Sequence, residues 1–230
     1  MKKTLIATAL GIASLVCSTA SAASIDFTGV GKSSGVSIHS PVLGDIGVSA
    51  GELNWGWLSG QVAGTGGASF YAYCVDANNY LQDPETVTVN QNGTSSLNSA
   101  SGITGTNAGE KASWLFNSYA ATIHSTGTNY DAAALQVAIW AALYNPTNTL
   151  TTGNFRLNTT GTIATQAQTY LNALYAANYM SSTATWLDAA AGAGQDQIMA
   201  GTPEPASLVL FGTGLLGLGR ALRRRRRVAA

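Results

Sequence analysis

The chain has 230 residues, 46% of them apolar and only 10% charged, against about 25% charged in an average soluble domain. Its formal net charge of zero hides a division: Lys2 and Lys3 stand at the start, and Arg220 and Arg223 to Arg227 at the end. Between Ala23 and Thr202 only Lys32, Lys111 and Arg156 face ten acidic residues, a formal charge of −7 over 180 residues. Three scattered cations cannot make the basic face that a polyanion requires, so nucleic-acid binding is excluded, while the length suffices for one domain or two small ones.

In chain order, Met1-Lys2-Lys3 is a positive n-region, Thr4 to Val16 an apolar h-region and Ala20-Ser21-Ala22 a small-residue cleavage site. This reads as a signal peptide over 1–22, with export of the chain from Ala23 onward. Cys17 lacks the small preceding residue that lipoprotein processing needs, because Ser14-Leu15-Val16 stands before it. Removal of the leader leaves Cys74 as the one cysteine of an exported chain. In a compartment where thiols are normally oxidised in pairs, such a residue is expected to be deeply buried, paired between molecules or chemically occupied.

From 23 to 90 the sequence is β-rich, with short runs at Ile25–Thr28, Val36–His39, Ile46–Ser49, Leu53–Leu58, Ser69–Asp76 and Thr86–Val89, broken by Gly, Ser, Asn and Pro. These predict a small antiparallel β-sandwich or barrel. Asn90 to Asn107 is polar and reads as a connector. The period then becomes helical: Ala108–Ile123, Asp131–Tyr144 and Ile163–Tyr179 each carry an apolar stripe, and the second is bounded by Asn129 or Asp131 before it and Asn145-Pro146 after it. The class is α+β, a β-rich part over 23–90 followed by a small helical subdomain over 108–180. Residues 181–202, rich in Ala, Gly and Thr, read as a flexible stalk.

The end of the chain has Pro203-Glu204-Pro205, an apolar membrane segment over 206–222 and an Arg-rich tail. Its uncharged run, Ala206 to Gly219, is short for a hydrocarbon core of roughly 30 Å, and five consecutive arginines assign that end to the cytoplasm. These three parts resemble the PEP-CTERM sorting signal of Gram-negative bacteria. The resemblance implies recognition by an exosortase, transient anchoring in the inner membrane, and delivery to the cell surface or the extracellular polysaccharide matrix.

Other strings carry no chemistry. Gly29-Val30-Gly31-Lys32-Ser33 lacks the first glycine of a phosphate loop, since Asp26 stands there, and Gly212-Thr213-Gly214-Leu215-Leu216-Gly217 lies inside the apolar tail with no strand before it. His39 and His124 have no Cys or Glu at metal-ligand spacing, so neither a metal nor a cofactor is expected.

Strand alternation puts Phe70, Ala72, Cys74 and Asp76 on one side of their strand. In the second helix Gln136 is a single amide among Ala, Leu, Val and Ile, one turn before Trp140. A buried carboxamide without partners costs about 1–3 kcal/mol, so Gln136 is hydrogen-bonded, at the surface or covalently used.

Tyr73-Cys74-Val75-Asp76 and Leu135-Gln136-Val137-Ala138-Ile139-Trp140 resemble the two motifs of the bacterial thioester domain, a surface-adhesin module. The resemblance implies an internal Cys74–Gln136 thioester formed with loss of ammonia. One acyl transfer then captures an extracellular nucleophile such as an amine on a protein Lys or polyamine, which makes the protein a single-turnover binding module and not an enzyme. Trp140, Tyr71, Tyr73 and Trp114 are the expected shielding groups, and Asp76 or His124 the expected acid for the departing sulfur. Two other readings stand beside it: a non-reactive matrix component that packs with exopolysaccharide, and a hydrolase pairing Cys74 with His124.

Overall fold

The computed structural model describes residues 21–61, 68–93, 103, 107–180, 182–190, 194–200 and 213. The elements run β1 (Ser21–Ser40), β2 (Gly44–Ser59), β3 (Ser69–Cys74), β4 (Glu85–Gly93), α1 (Ala108–Thr126), α2 (Asn129–Tyr144), β5 (Arg156–Leu157), α3 (Thr162–Ala176), β6 (Ala184–Ala189) and β7 (Gln197–Met199). The strands form one sheet in the order β2-β3-β7-β6-β4-β1-β5, and β2 also pairs with β1, so the pairings close a ring of six strands with β5 outside it. Every pairing among the described residues is antiparallel. The pairings thus close on themselves as in a barrel, although neighbouring strands pair over only part of their length.

The four N-terminal β-runs merge pairwise into two long strands. Glycine makes this possible: Gly29 and Gly51 adopt φ of 137° and 139°, and register shifts between Phe27/Gly29 and Val30/Ser33 bend β1 without breaking its pairing to β2. A Cβ at Gly51 would stand 2.3 Å from the Lys32 carbonyl oxygen and 2.7 Å from Ser33 Cα, so this crossing admits glycine alone.

The expected succession of a β part and then a helical part is corrected, because the last strands return to the ring. Residues 184–189 and 197–199, expected in a stalk, are β6 and β7, and they lie between β3 and β4. Trp186, Leu187 and Ile198 are fully buried there. The burial of apolar Trp-Leu and Ile-Met pairs outweighs the low strand propensity of the surrounding Ala and Gly. The helices are thus inserted between β4 and β6.

Helix α2 is the centre of the packing. Thr128 and Asp131 form a capping box at its start, Thr128 Oγ1 accepting from Asp131 N at 3.2 Å and Asp131 Oδ2 accepting from Thr128 N at 2.8 Å. Asn145 closes the other end: its side chain donates to the carbonyls of Thr149 and Phe155 and accepts from Phe155 N. All residues from Ala132 to Tyr144 are buried, because α2 packs against α1, α3, β1 and β2 at once. A helix apolar all round has this environment.

Among the described residues no helix is long and apolar enough to cross a membrane. Residues 1–20 of the expected leader and the sorting segment 203–230, Thr213 apart, lie outside the described residues, as do 94–102 and 104–106 of the connector. Ser21 and Ala22, the last two residues of the expected 1–22 leader, belong to β1, opposite Val89 and Thr88.

Candidate functional site

Cys74 is the last residue of β3 and sits opposite Gln197 of β7. Val75 N donates to Asp196 O at 2.9 Å, so, by the alternation of an antiparallel ladder, the main-chain bonds to β7 flank Cys74 and its own N–H and C=O face the β2 side. There the β2–β3 register ends at Leu53↔Ala72, leaving Cys74 without a strand neighbour on that side. Gln136 of α2 takes that place. Its Oε1 accepts from Cys74 N at 3.0 Å and its Nε2 donates to Cys74 O at 2.6 Å. The side-chain amide thus copies a strand's peptide group, and both Gln136 and Cys74 are buried.

The sulfur is held by the next turn of chain: Cys74 Sγ donates to Asp76 O at 3.0 Å and receives Asp76 N at 3.3 Å. Burial pushes the thiol well above its ordinary pKa, and the Asp76 carboxylate adds to that, while the Asp76 backbone and the nearby Trp140 indole N–H act the other way. The Asp76 carboxylate is committed elsewhere. Its Oδ1 accepts from Asn78 N at 2.9 Å and lies 3.5 Å from Tyr144 Oη, and its Oδ2 accepts from Asn79 Nδ2 at 2.6 Å.

A cavity opens onto this pair, with Cys74, Gln136 and Trp140 in its wall. Ile38, Ile46, Val48 and Leu53 of the β1–β2 hairpin make its apolar side, and Asn79, Tyr80 and Gln195 complete it. Tyr80 is 63% exposed and stands at the mouth. Among the described residues no charged side chain lines it, so an ion gains little there.

Of the expected shielding and acid groups, Trp140 alone is in the wall of this cavity. Tyr71 and Tyr73 point to the other face of β3, where both pack on Phe116 of α1. Trp114 packs edge-on against Tyr119. His124 also lies on that other face, stacked on Tyr71 at 4.1 Å between ring centroids, with Nδ1 3.2 Å from Glu52 Oε2. The structure therefore does not bring His124 to Cys74, because strand alternation separates Tyr71 from the Cys74 side. Asp76 meets the sulfur through its backbone and not its carboxylate.

Sequence reasoning missed Gln195 and Asn79, linked by Gln195 Nε2 donating to Asn79 O at 2.5 Å. It also missed two buried carboxyls behind them. Glu85 Oε1 accepts from Gln195 N at 2.6 Å, and Asp196 Oδ1 accepts from Ala189 N at 2.8 Å. Desolvation pushes both up to about 7, aided by Asp196 and Asp76 around Glu85 and by Asp188 and Asp76 around Asp196. No signal in the sequence marks these groups, since their proximity arises only when β7 inserts beside β3. Among the described residues no cluster of His, Cys, Asp and Glu fits a metal ion.

No curated protein and no solved structure gives a significant match to the chain. The family model of the PEP-CTERM protein-sorting motif matches residues 202–226, which include Pro203, Glu204, Pro205, the apolar run and most of the arginines. The chain therefore carries a PEP-CTERM sorting signal, the mark of an exported protein whose processing partner is an exosortase.

Proposed function

We propose that this exported protein is a covalent attachment module, in which Cys74 Sγ and Gln136 Cδ condense to an internal thioester that later acylates a nucleophile at the cell surface or in the extracellular matrix. The observation that carries this reading is the amide of Gln136 bridging the N–H and C=O of Cys74. The amide so held is hydrogen-bonded to the same residue that carries the sulfur.

The chemistry balances without an external cofactor. The sulfur attacks Cδ, a C–S bond replaces the C–N bond, and the thiol proton leaves with the amide nitrogen as ammonia. An amine then attacks the same carbon, forms an amide and returns Cys74 as a thiol. Each molecule reacts once, so this is a binding event and not turnover. Water competes for the acyl carbon, and the apolar side formed by Ile38, Ile46, Val48 and Leu53 disfavours it until a ligand enters past Tyr80.

One observation favours a second reading, a non-reactive matrix component. The same two hydrogen bonds give both polar atoms of the Gln136 amide a partner as a substitute for a strand, which is reason enough for a buried amide. Intact mass of the exported protein separates the two. The thioester reading expects a mass lower by one ammonia, Cys74 closed to alkylation, and addition of one methylamine at Gln136 with release of the thiol. Full mass with an alkylatable Cys74 supports the structural reading.

A further inference from the structure

The amide pair accounts for the electrophilic carbon but not for the sulfur, whose surroundings oppose negative charge through burial and the nearby Asp76 carboxylate. A thiolate leaving into such a site needs hydrogen-bond donors. Trp140 is 4% exposed, and its indole Nε1 is buried with no hydrogen-bond partner among the described residues, although its N–H is near enough to favour charge on the sulfur. It stands one helical turn beyond Gln136 and shares the cavity wall with Cys74. Trp55 and Trp57 also have buried indole nitrogens without partners among the described residues, but neither lines this cavity. A buried donor left unpaired in the resting protein costs free energy and calls for a partner that another state supplies.

We propose that the Trp140 indole N–H and the Asp76 backbone N–H together form a donor pair that stabilises Cys74 Sγ as the leaving group of acyl transfer. The inference rests on the thioester reading for its role in the reaction. As the amine nitrogen bonds to Gln136 Cδ, the C–S bond breaks with its electron pair going to sulfur. The two N–H groups meet that charge, and a proton from the attacking nitrogen then restores the thiol. In the resting thiol, the S–H is turned to Asp76 O and the Asp76 N–H is already on the sulfur at 3.3 Å. Trp140 is the donor held in reserve.

The test uses the full exported chain with Gln136→Ala, in which Cys74 is a free thiol whether or not the wild type forms a thioester. Iodoacetamide alkylation of Cys74 is followed against pH with and without Trp140→Phe, which keeps an aromatic ring and removes the N–H. The expected result is a profile whose midpoint moves up by about one pH unit, with alkylation near neutral pH about tenfold slower, as loss of one charge-assisted donor implies. Superimposable profiles overturn the proposal.

A measurement without the Phe substitution guards against misfolding. In the Gln136→Ala protein the 15N indole resonance of Trp140 is expected to shift with the same midpoint as thiol ionisation, and an indole signal constant through that titration overturns the proposal. Failure of the thioester reading is seen separately, as full mass in the wild type.

Discussion

Gln136 pairs with both main-chain groups of Cys74, accepting at 3.0 Å and donating at 2.6 Å, in the position a neighbouring strand would occupy. The helix α2 is thereby joined to the end of β3 by a side chain that carries an acyl carbon. The residue that ties helix to strand is also the one that the proposed thioester would use.

Gln136→Ala leaves the N–H and C=O of Cys74 buried without partners, and is expected to cost about 2–4 kcal/mol in chemical denaturation. Gln136→Glu keeps the shape but places a carboxyl oxygen opposite Cys74 O, so it is expected to recover stability only when protonated. A Gln136→Ala protein as stable as the wild type would show that the bridge contributes nothing to the fold.

His124→Ala is expected to leave the ammonia deficit of the chain and the thiol accessibility of Cys74 as in the wild type. The ring stacks on Tyr71 and meets Glu52 across the strand from the sulfur. Its loss should cost only about 1 kcal/mol of stability. A hydrolase built on Cys74 and His124 requires the opposite result, a change in thiol reactivity on this substitution.

Glu85 and Asp196 predict a pH dependence of definite sign. Both have pKa values raised to about 7 from ordinary values of 4.5 and 3.8, so the folded state holds protons that the unfolded state has already released. Their contribution to stability is greatest at the acid end, falls as pH rises through that window and levels off above about 7. Each contributes on the order of 1 kcal/mol to the fall, allowing for partial solvent access. Thermal melts of Glu85→Gln and Asp196→Asn should lose this slope, and unchanged slopes would refute the assignment.

Gly51→Ala is expected to destabilise by about 2–4 kcal/mol, because its Cβ meets the Lys32 carbonyl and its φ of 139° is unfavourable for any L side chain. Gly51 also lines the cavity. A melting temperature equal to that of the wild type would contradict the tight β1–β2 crossing.

The candidate site is more legible in the sequence than the fold. Two strings 62 residues apart, around Cys74 and Gln136, hold the pair that comes together, and the 3.6-residue period marks α1, α2 and α3 to within a few residues. The cap of α2 lies one or more positions earlier than its sequence suggests, since Thr128 and not Asn129 or Asp131 accepts the orphan N–H.

Pairing between distant strands leaves no such mark. Ala184–Ala189 is buried at its first four positions, with no alternation to read, and Gln197–Met199 is three residues long. Their strand character comes from the neighbours β3 and β4. For the same reason Gln195, Asn79, Glu85 and Asp196 have no sequence signature. Tyr71, Tyr73, Trp114 and His124, expected at the sulfur, lie on the opposite face or away from the cavity. Proximity in sequence ignores the side of the strand.

The thioester is tested most directly by the intact mass of the exported protein before and after methylamine. An internal thioester requires a chain one ammonia short, which gains one methylamine at Gln136 and only then exposes Cys74 to alkylation. A chain of full mass with Cys74 alkylatable from the outset, and no adduct at Gln136, would contradict it.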